Sequence, residues 1–139
     1  MERIPARIMA LGAFNGFLAV GMGAIGSHRL KGKLDPWATQ LFDQAIEFHV
    51  AHALALIGIG AVWPYLTARA KPSALLSGVT FLMGMLLFCG TIYWLAINGS
   101  GSLGNFHWLT PIGGVCLLIG WLALTFASWL TVSKASPPR

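Results

Sequence analysis

Four long apolar runs alternate with short polar connectors along the chain. They cover about residues 8–26, 48–64, 74–97 and 109–132. About 20 apolar residues in a helix cross the hydrocarbon of a bilayer, so each run predicts a membrane span. In the first run Gly12, Gly16, Ala19, Gly23 and Gly26 recur at steps of four and three. At about 100° per residue these positions form one narrow stripe, along which another helix can approach closely. Asn15 lies beside that stripe and is expected to bond across a helix interface. The fourth run repeats the device with Gly113, Cys116, Gly120, Ala123 and Ala127.

The connectors supply the punctuation. His28 to Leu34 is a basic turn with Arg29, Lys31 and Lys33, and Asp35-Pro36 then offers an N-cap followed by a first-turn proline. From Pro36 the pattern divides into two faces. Gln40, Asp43, Gln44 and Glu47 share one, while Trp37, Leu41, Phe42, Ala45, Phe48, His49 and His52 occupy the other. Residues 36–47 therefore read as an amphipathic interfacial extension, polar side to water, that enters the bilayer near Phe48 and ends at Pro64. Ser73 and Thr110-Pro111 are the expected caps of the third and fourth spans. The uncharged stretch NGSGSLGN, Asn98 to Asn105, is a turn, and residues 133–139 read as a disordered tail. The fold class is thus all-α: a single four-transmembrane-helix bundle of 139 residues, with no inverted repeat and no span broken at mid-membrane.

Composition agrees. Charged residues make up 9% of the chain and the mean hydropathy is +0.72, whereas soluble domains carry about 25% charged residues. The net charge of +5 is not arranged as a basic stripe among polar residues, so nucleic acid is excluded as a partner in favour of anionic head groups. Arg3 and Arg7 before an apolar run, with Ala24-Ile25-Gly26 after it, resemble a secretory signal, but a run of this length predicts a retained first span. Lys and Arg number six on the side of both termini and three on the other, which places both termini in the cytoplasm of a cell whose inner (plasma) membrane the chain crosses. Trp37, Tyr93, Trp94 and Trp108 then fall at the outer interface, and Trp63, Tyr65 and Trp129 at the inner one. Cys89 and Cys116 lack metal or redox spacing and read as packing residues.

The alternating spans carry His28, His49, His52 and His107 towards one side. His49 and His52, at i and i+3, share a helix face turned away from Glu47 and Asp43. Three readings stay open for them. They are structural hydrogen-bonding groups; or His28, His49 and His52 hold a metal or a haem; or they form a proton relay. The sequence requires no cofactor. It contains no phosphate loop, no Ser-His-Asp arrangement and no HExxH, and the exposed carboxylates Asp43 and Glu47 read as a wet stripe rather than an acid–base pair.

LGAFNGFLAVGMGAIGSHRLKG (Leu11–Gly32), FDQAIEFHVAHALAL (Phe42–Leu56), FCGTIYWLAING (Phe88–Gly99) and LTPIGGVCLLIGW (Leu109–Trp121) carry a resemblance that touches every span. The chain resembles the family catalogued as domain of unknown function 423, which includes bacterial YgdD-like proteins and eukaryotic transmembrane protein 256. The resemblance implies a four-span inner-membrane protein and no established activity. It also implies that His28 and His52 occupy histidine positions of the family. His49 falls at a more variable position, His107 falls outside the pattern, and Cys89 stands where serine is expected. A His28–His52 pair meeting beneath the first loop is therefore the core of any histidine site.

Three functions follow as expectations. The leading one is a non-enzymatic accessory or assembly component of a membrane complex. Its partner is a membrane protein or a second copy, reached through Gly12, Gly16, Ala19 and Gly23 and through Gly113, Gly120 and Ala127. The others are a metal- or haem-binding membrane protein and a small-solute or proton pathway.

Overall fold

The computed structural model describes residues 3–133. Its helices are α1 (Arg3–His28), α2 (Pro36–Val62), α3 (Lys71–Asn98) and α4 (Leu109–Val132). Each belongs to a segment long and apolar enough to cross a membrane. A 3₁₀ turn, Trp63–Tyr65, follows α2, and another, Gly104–Phe106, precedes α4. The described residues contain no strand.

Local chemistry explains the start of α2. Asp35 is extended (φ −68°, ψ 169°) and its carboxylate accepts from the Ala38 N–H at 2.7 Å, with Pro36 in the first turn. Two expected caps are absent. α3 begins at Lys71, and Ser73 instead donates across the bundle to the Ala123 carbonyl at 2.7 Å. α4 begins at Leu109 without a side-chain cap, and the Thr110 hydroxyl pairs with that of Thr91 at 2.7 Å. Both hydroxyls take a partner across a helix interface instead of capping a helix end, as hydroxyls in membrane helices commonly do. At the far end of α4, Ser133 donates to the Trp129 carbonyl; the rest of the expected tail, 134–139, lies outside the described residues.

The chain packs as two helix hairpins. α1 lies antiparallel on α2, with Gly26 against Phe42, Gly12 against the Ala53 carbonyl and Ile57, and Gly60 of α2 against Met9 and Pro5. α3 lies antiparallel on α4, with Gly113 against the backbone of Leu87 and Phe88, Gly84 against Leu117, and Gly120 against Phe81. The small-residue stripes are therefore the seams inside the chain, and Ala19 and Ala127 are fully buried in them. Most of the stripe positions expected to receive a partner are thus filled from within the chain. Only Gly16, of the glycines named for that role, would have nothing within 4 Å of an added Cβ.

α2 joins the hairpins and is continuous from Pro36. Its amphipathic first half has Gln40, Asp43, Gln44 and Glu47 exposed and Ala38, Phe42 and Ala45 buried. That half packs alongside α1 and α3: the Phe42 and Tyr93 rings lie 5.1 Å apart, as do those of Phe48 and Phe88. Tyr93 and Trp63, expected as interfacial anchors, are instead buried, because each faces a neighbouring helix. Trp37, Tyr65, Trp94, Trp108 and Trp129 are exposed.

α3 contains a feature that hydropathy does not reveal. Met85–Cys89 forms a π-helical turn, closed by the Gly90 N–H donating to the Met85 carbonyl. In an uninterrupted α-helix Tyr93 would lie roughly 120° round from Phe81. The wider turn brings both back towards α2, and both are buried. Thr91 donates to the Leu87 and Phe88 carbonyls that the bulge displaces.

A Cβ at Gly113 would stand 2.3 Å from the Phe88 nitrogen and 2.8 Å from the Leu87 carbonyl carbon, so Gly113→Ala must push the α3 and α4 backbones apart. It should cost about 1–3 kcal/mol and lower the Tm measured in detergent by tryptophan fluorescence. Gly58 has nothing within 4 Å, so Gly58→Ala should hold or raise Tm, by up to about 1 kcal/mol. An unchanged Tm for Gly113→Ala would contradict the α3–α4 seam.

Candidate functional site

His49 and His52 occupy one face of α2 and are buried, opposite the π turn of α3. Their surroundings differ. His52 Nδ1 lies 2.6 Å from the Phe48 carbonyl one turn earlier, and its Nε2 accepts from the Trp121 indole N–H of α4 at 3.0 Å. A carbonyl only accepts, so the proton sits on Nδ1 and the ring is neutral. Phe81 and Trp121 pack edge-on to it, with ring centroids at 5.1 and 5.8 Å.

His49 bridges the two hairpins. Its Nε2 lies 3.2 Å from Asn15 Oδ1 on α1, and its Nδ1 lies 3.3 Å from the Tyr93 hydroxyl on α3. The amide orientation of Asn15 follows from its own Nδ2–H donating to the Leu11 carbonyl at 2.8 Å. Oδ1 must then accept from His49 Nε2–H, which leaves Nδ1 to accept from the Tyr93 O–H. The whole chain, Tyr93 to His49 to Asn15 to Leu11, runs in one direction without a charge. Among the described residues one buried side-chain polar atom, Ser77 Oγ, has no partner.

The other candidate residues fall elsewhere. His28 is the last residue of α1 and is exposed. Because Gly26 packs on Phe42, His28 stands about 18 Å along the axis from His52. The expected meeting of His28 with His52 does not occur. His107 is exposed and donates from Nδ1 to the Gly104 carbonyl at 3.0 Å, closing its own turn. His28, His49 and His52 therefore do not converge, and no group of three His, Cys, Asp or Glu side chains among the described residues is placed to hold a metal. The ring nitrogens of His49 and His52 are already taken by protein partners. Cys89 is buried and Cys116 half-buried, both as free thiols. The sequence did not reveal Tyr93 and Trp121 as partners, because nothing in the spacing of one chain states which residues of distant spans meet.

Comparison with known proteins gives the family. The family described as "Protein of unknown function (DUF423)" matches residues 22–114. The chain belongs to the DUF423 family. A UPF0382 membrane protein of Staphylococcus epidermidis is 36% identical over 118 residues, 85% of this chain and 91% of that one. One from Haemophilus influenzae is 34% identical over 127 residues, 91% of this chain and 97% of its own length. The UPF0382 membrane protein YwdK of Bacillus subtilis is 34% identical over 118 residues, covering 85% and 92%. No solved structure matches the chain. The DUF423 match takes in α2, α3 and the start of α4, and so includes His49, His52, the π turn and Tyr93; it stops short of Asn15 and Trp121.

The Trp121–His52 bond should be measurable as a coupling. A double-mutant cycle of His52→Leu and Trp121→Phe, read by unfolding in detergent, should give about 0.5–2 kcal/mol, the range of hydrogen bonds between membrane helices. Additive effects of the two substitutions would show that the bond does not hold α4 to α2.

Proposed function

We propose that this DUF423 protein is a non-enzymatic inner-membrane component with both termini in the cytoplasm, and that it works by docking another membrane protein onto the outward face of α2. The observation that carries the reading is the exposed row Gln40, Asp43, Gln44 and Glu47. Phe48 packs on Phe88, so Glu47 stands about 15 Å below the level of Asn98. α3 is about 42 Å long, against a hydrocarbon layer of about 30 Å. A centred bundle therefore holds Glu47 roughly 9 Å inside the apolar layer.

Carboxylates facing lipid at that depth are costly, and intramembrane charges ordinarily face protein or water. The groups inside the bundle are neutral and paired with one another, so they do not offset this cost. A partner that presents hydrogen-bond donors or cations at the same height does. Along the same face, Ala51, Gly58 and Ala61 are exposed and small, which lets a partner helix come close in the lower half as well. The paired histidines also favour this reading over metal or haem binding, since no ring nitrogen of His49 or His52 is left to coordinate.

A photo-crosslinking amino acid placed at Gln44 or Ala51 in native membranes should give a discrete protein adduct. The same group at Leu122, 71% exposed on α4, should give lipid adducts only. Adducts at twice the chain mass identify a second copy as the partner. Lipid adducts alone at Gln44 and Ala51 would refute docking through this face.

A further inference from the structure

Between α1 and α3 a groove of about 370 Å³ opens towards the lipid, with His49 of α2 at its floor. Its volume lies within the range of small-molecule sites. Its walls are apolar except where Asn15, His49 and Tyr93 meet. Two glycines shape it: Gly21 on the α1 wall and Gly90 on the α3 wall, each with nothing within 4 Å of its Cβ position. Glycines at a helix seam are filled by a neighbour, as Gly12 and Gly113 are. Gly21 and Gly90 are not, so at these two positions each wall lacks a side chain and leaves a slot. Gly90 is also the residue whose N–H closes the π turn, which ties the slot to the one irregularity in α3.

The polar groups in this groove retain hydrogen-bonding capacity. Asn15 Nδ2 carries two hydrogens, of which the Leu11 carbonyl takes one. No water reaches the middle of a bilayer to take the other, and an unpaired N–H there is expensive. Asn15 is near the midpoint of α1, about 20 Å along the axis from His28. A phospholipid cannot bring its ester carbonyls to that depth without dragging its charged head with them. An uncharged lipid can.

We infer that the groove between α1 and α3 binds a neutral, membrane-dissolved lipid of the quinone class, whose flat head enters between Gly21 and Gly90 and whose carbonyl oxygen accepts from Asn15 Nδ2–H. His49 and Tyr93 hold Asn15 in place for that contact, through the one-directional chain of bonds that ends at Leu11. The site is separate from the exposed row of α2 and stands whether or not that face docks a partner.

The test uses the full-length protein in detergent, titrated with decyl-ubiquinone and read by native mass spectrometry. One molecule should bind per chain, saturably. Gly90→Leu fills the slot and should weaken binding at least about tenfold, whereas Ser128→Leu, at an exposed position of α4 off the groove, should bind as the parent does. Decylbenzene, with the same tail and no carbonyl, should bind about tenfold more weakly, the worth of one hydrogen bond. Asn15→Leu should erase that preference. Should Gly90→Leu fail to fold by circular dichroism, Gly21→Leu on the facing wall makes the same measurement. Equal binding of decyl-ubiquinone by the parent and a folded slot-filling variant would overturn the site. Equal binding of decylbenzene by the parent would overturn recognition of the carbonyl, and the absence of saturable binding would overturn both.

Discussion

The bundle depends on two neutral imidazoles, one turn apart on α2, having both ring nitrogens paired within the chain. His49 reaches Asn15 on α1 and Tyr93 on α3, and His52 receives Trp121 of α4. Every other span is thereby bonded to α2 through a side chain. Apolar contact alone does not select among helix arrangements in lipid, because hydrocarbon is as apolar as leucine. Directional bonds do select, since a slipped or rotated helix strands an N–H or O–H where no water can reach it. The same pairing uses up the lone pairs that a metal would need.

Close approach of the backbones makes those bonds reachable. Gly12 and Gly60 bring α1 onto α2, while Gly84, Gly113 and Gly120 bring α3 onto α4. Each hairpin has its own seam, and the hairpins meet through aromatic rings and histidines on α2 and α3. α3 must therefore serve α2 at Phe81, beside His52, and again at Tyr93, beside His49. Those positions do not share a face of a regular α-helix. The π turn at Met85–Cys89 resolves the conflict, and the pair Thr91–Thr110 ties the displaced carbonyls to α4. The bulge is the geometric consequence of asking one helix to meet two histidines on its neighbour.

The spans, the connectors and the Asp35 cap were legible in the sequence, because hydropathy, proline and capping chemistry are local. The small-residue stripes were legible as seams but not as to whose, since Gly12 looks the same whether it receives Ala53 or a foreign helix. The inward placement of His49 and His52 followed from the helical wheel. Their partners did not, because register between spans is set by side-chain shape over the whole interface. His28 and His52 share one end of the bundle in a topological sketch, and only the pairing of Gly26 with Phe42 shows the distance between them. The π turn lay out of reach for the same reason: it answers a demand made by α2, with no signature in residues 85–89 themselves.

α2 divides its polarity by direction. The polar groups turned inward, His49 and His52, are neutral and paired, and the fold requires them. Those turned outward, Asp43 and Glu47 among them, are charged or amide groups left exposed, and the described packing does not use them. Replacing the outward row by leucine would leave every inward bond in place. Stability alone therefore gives no reason for these groups to be there. A polar row that the fold does not need is what the proposed docking through α2 rests on.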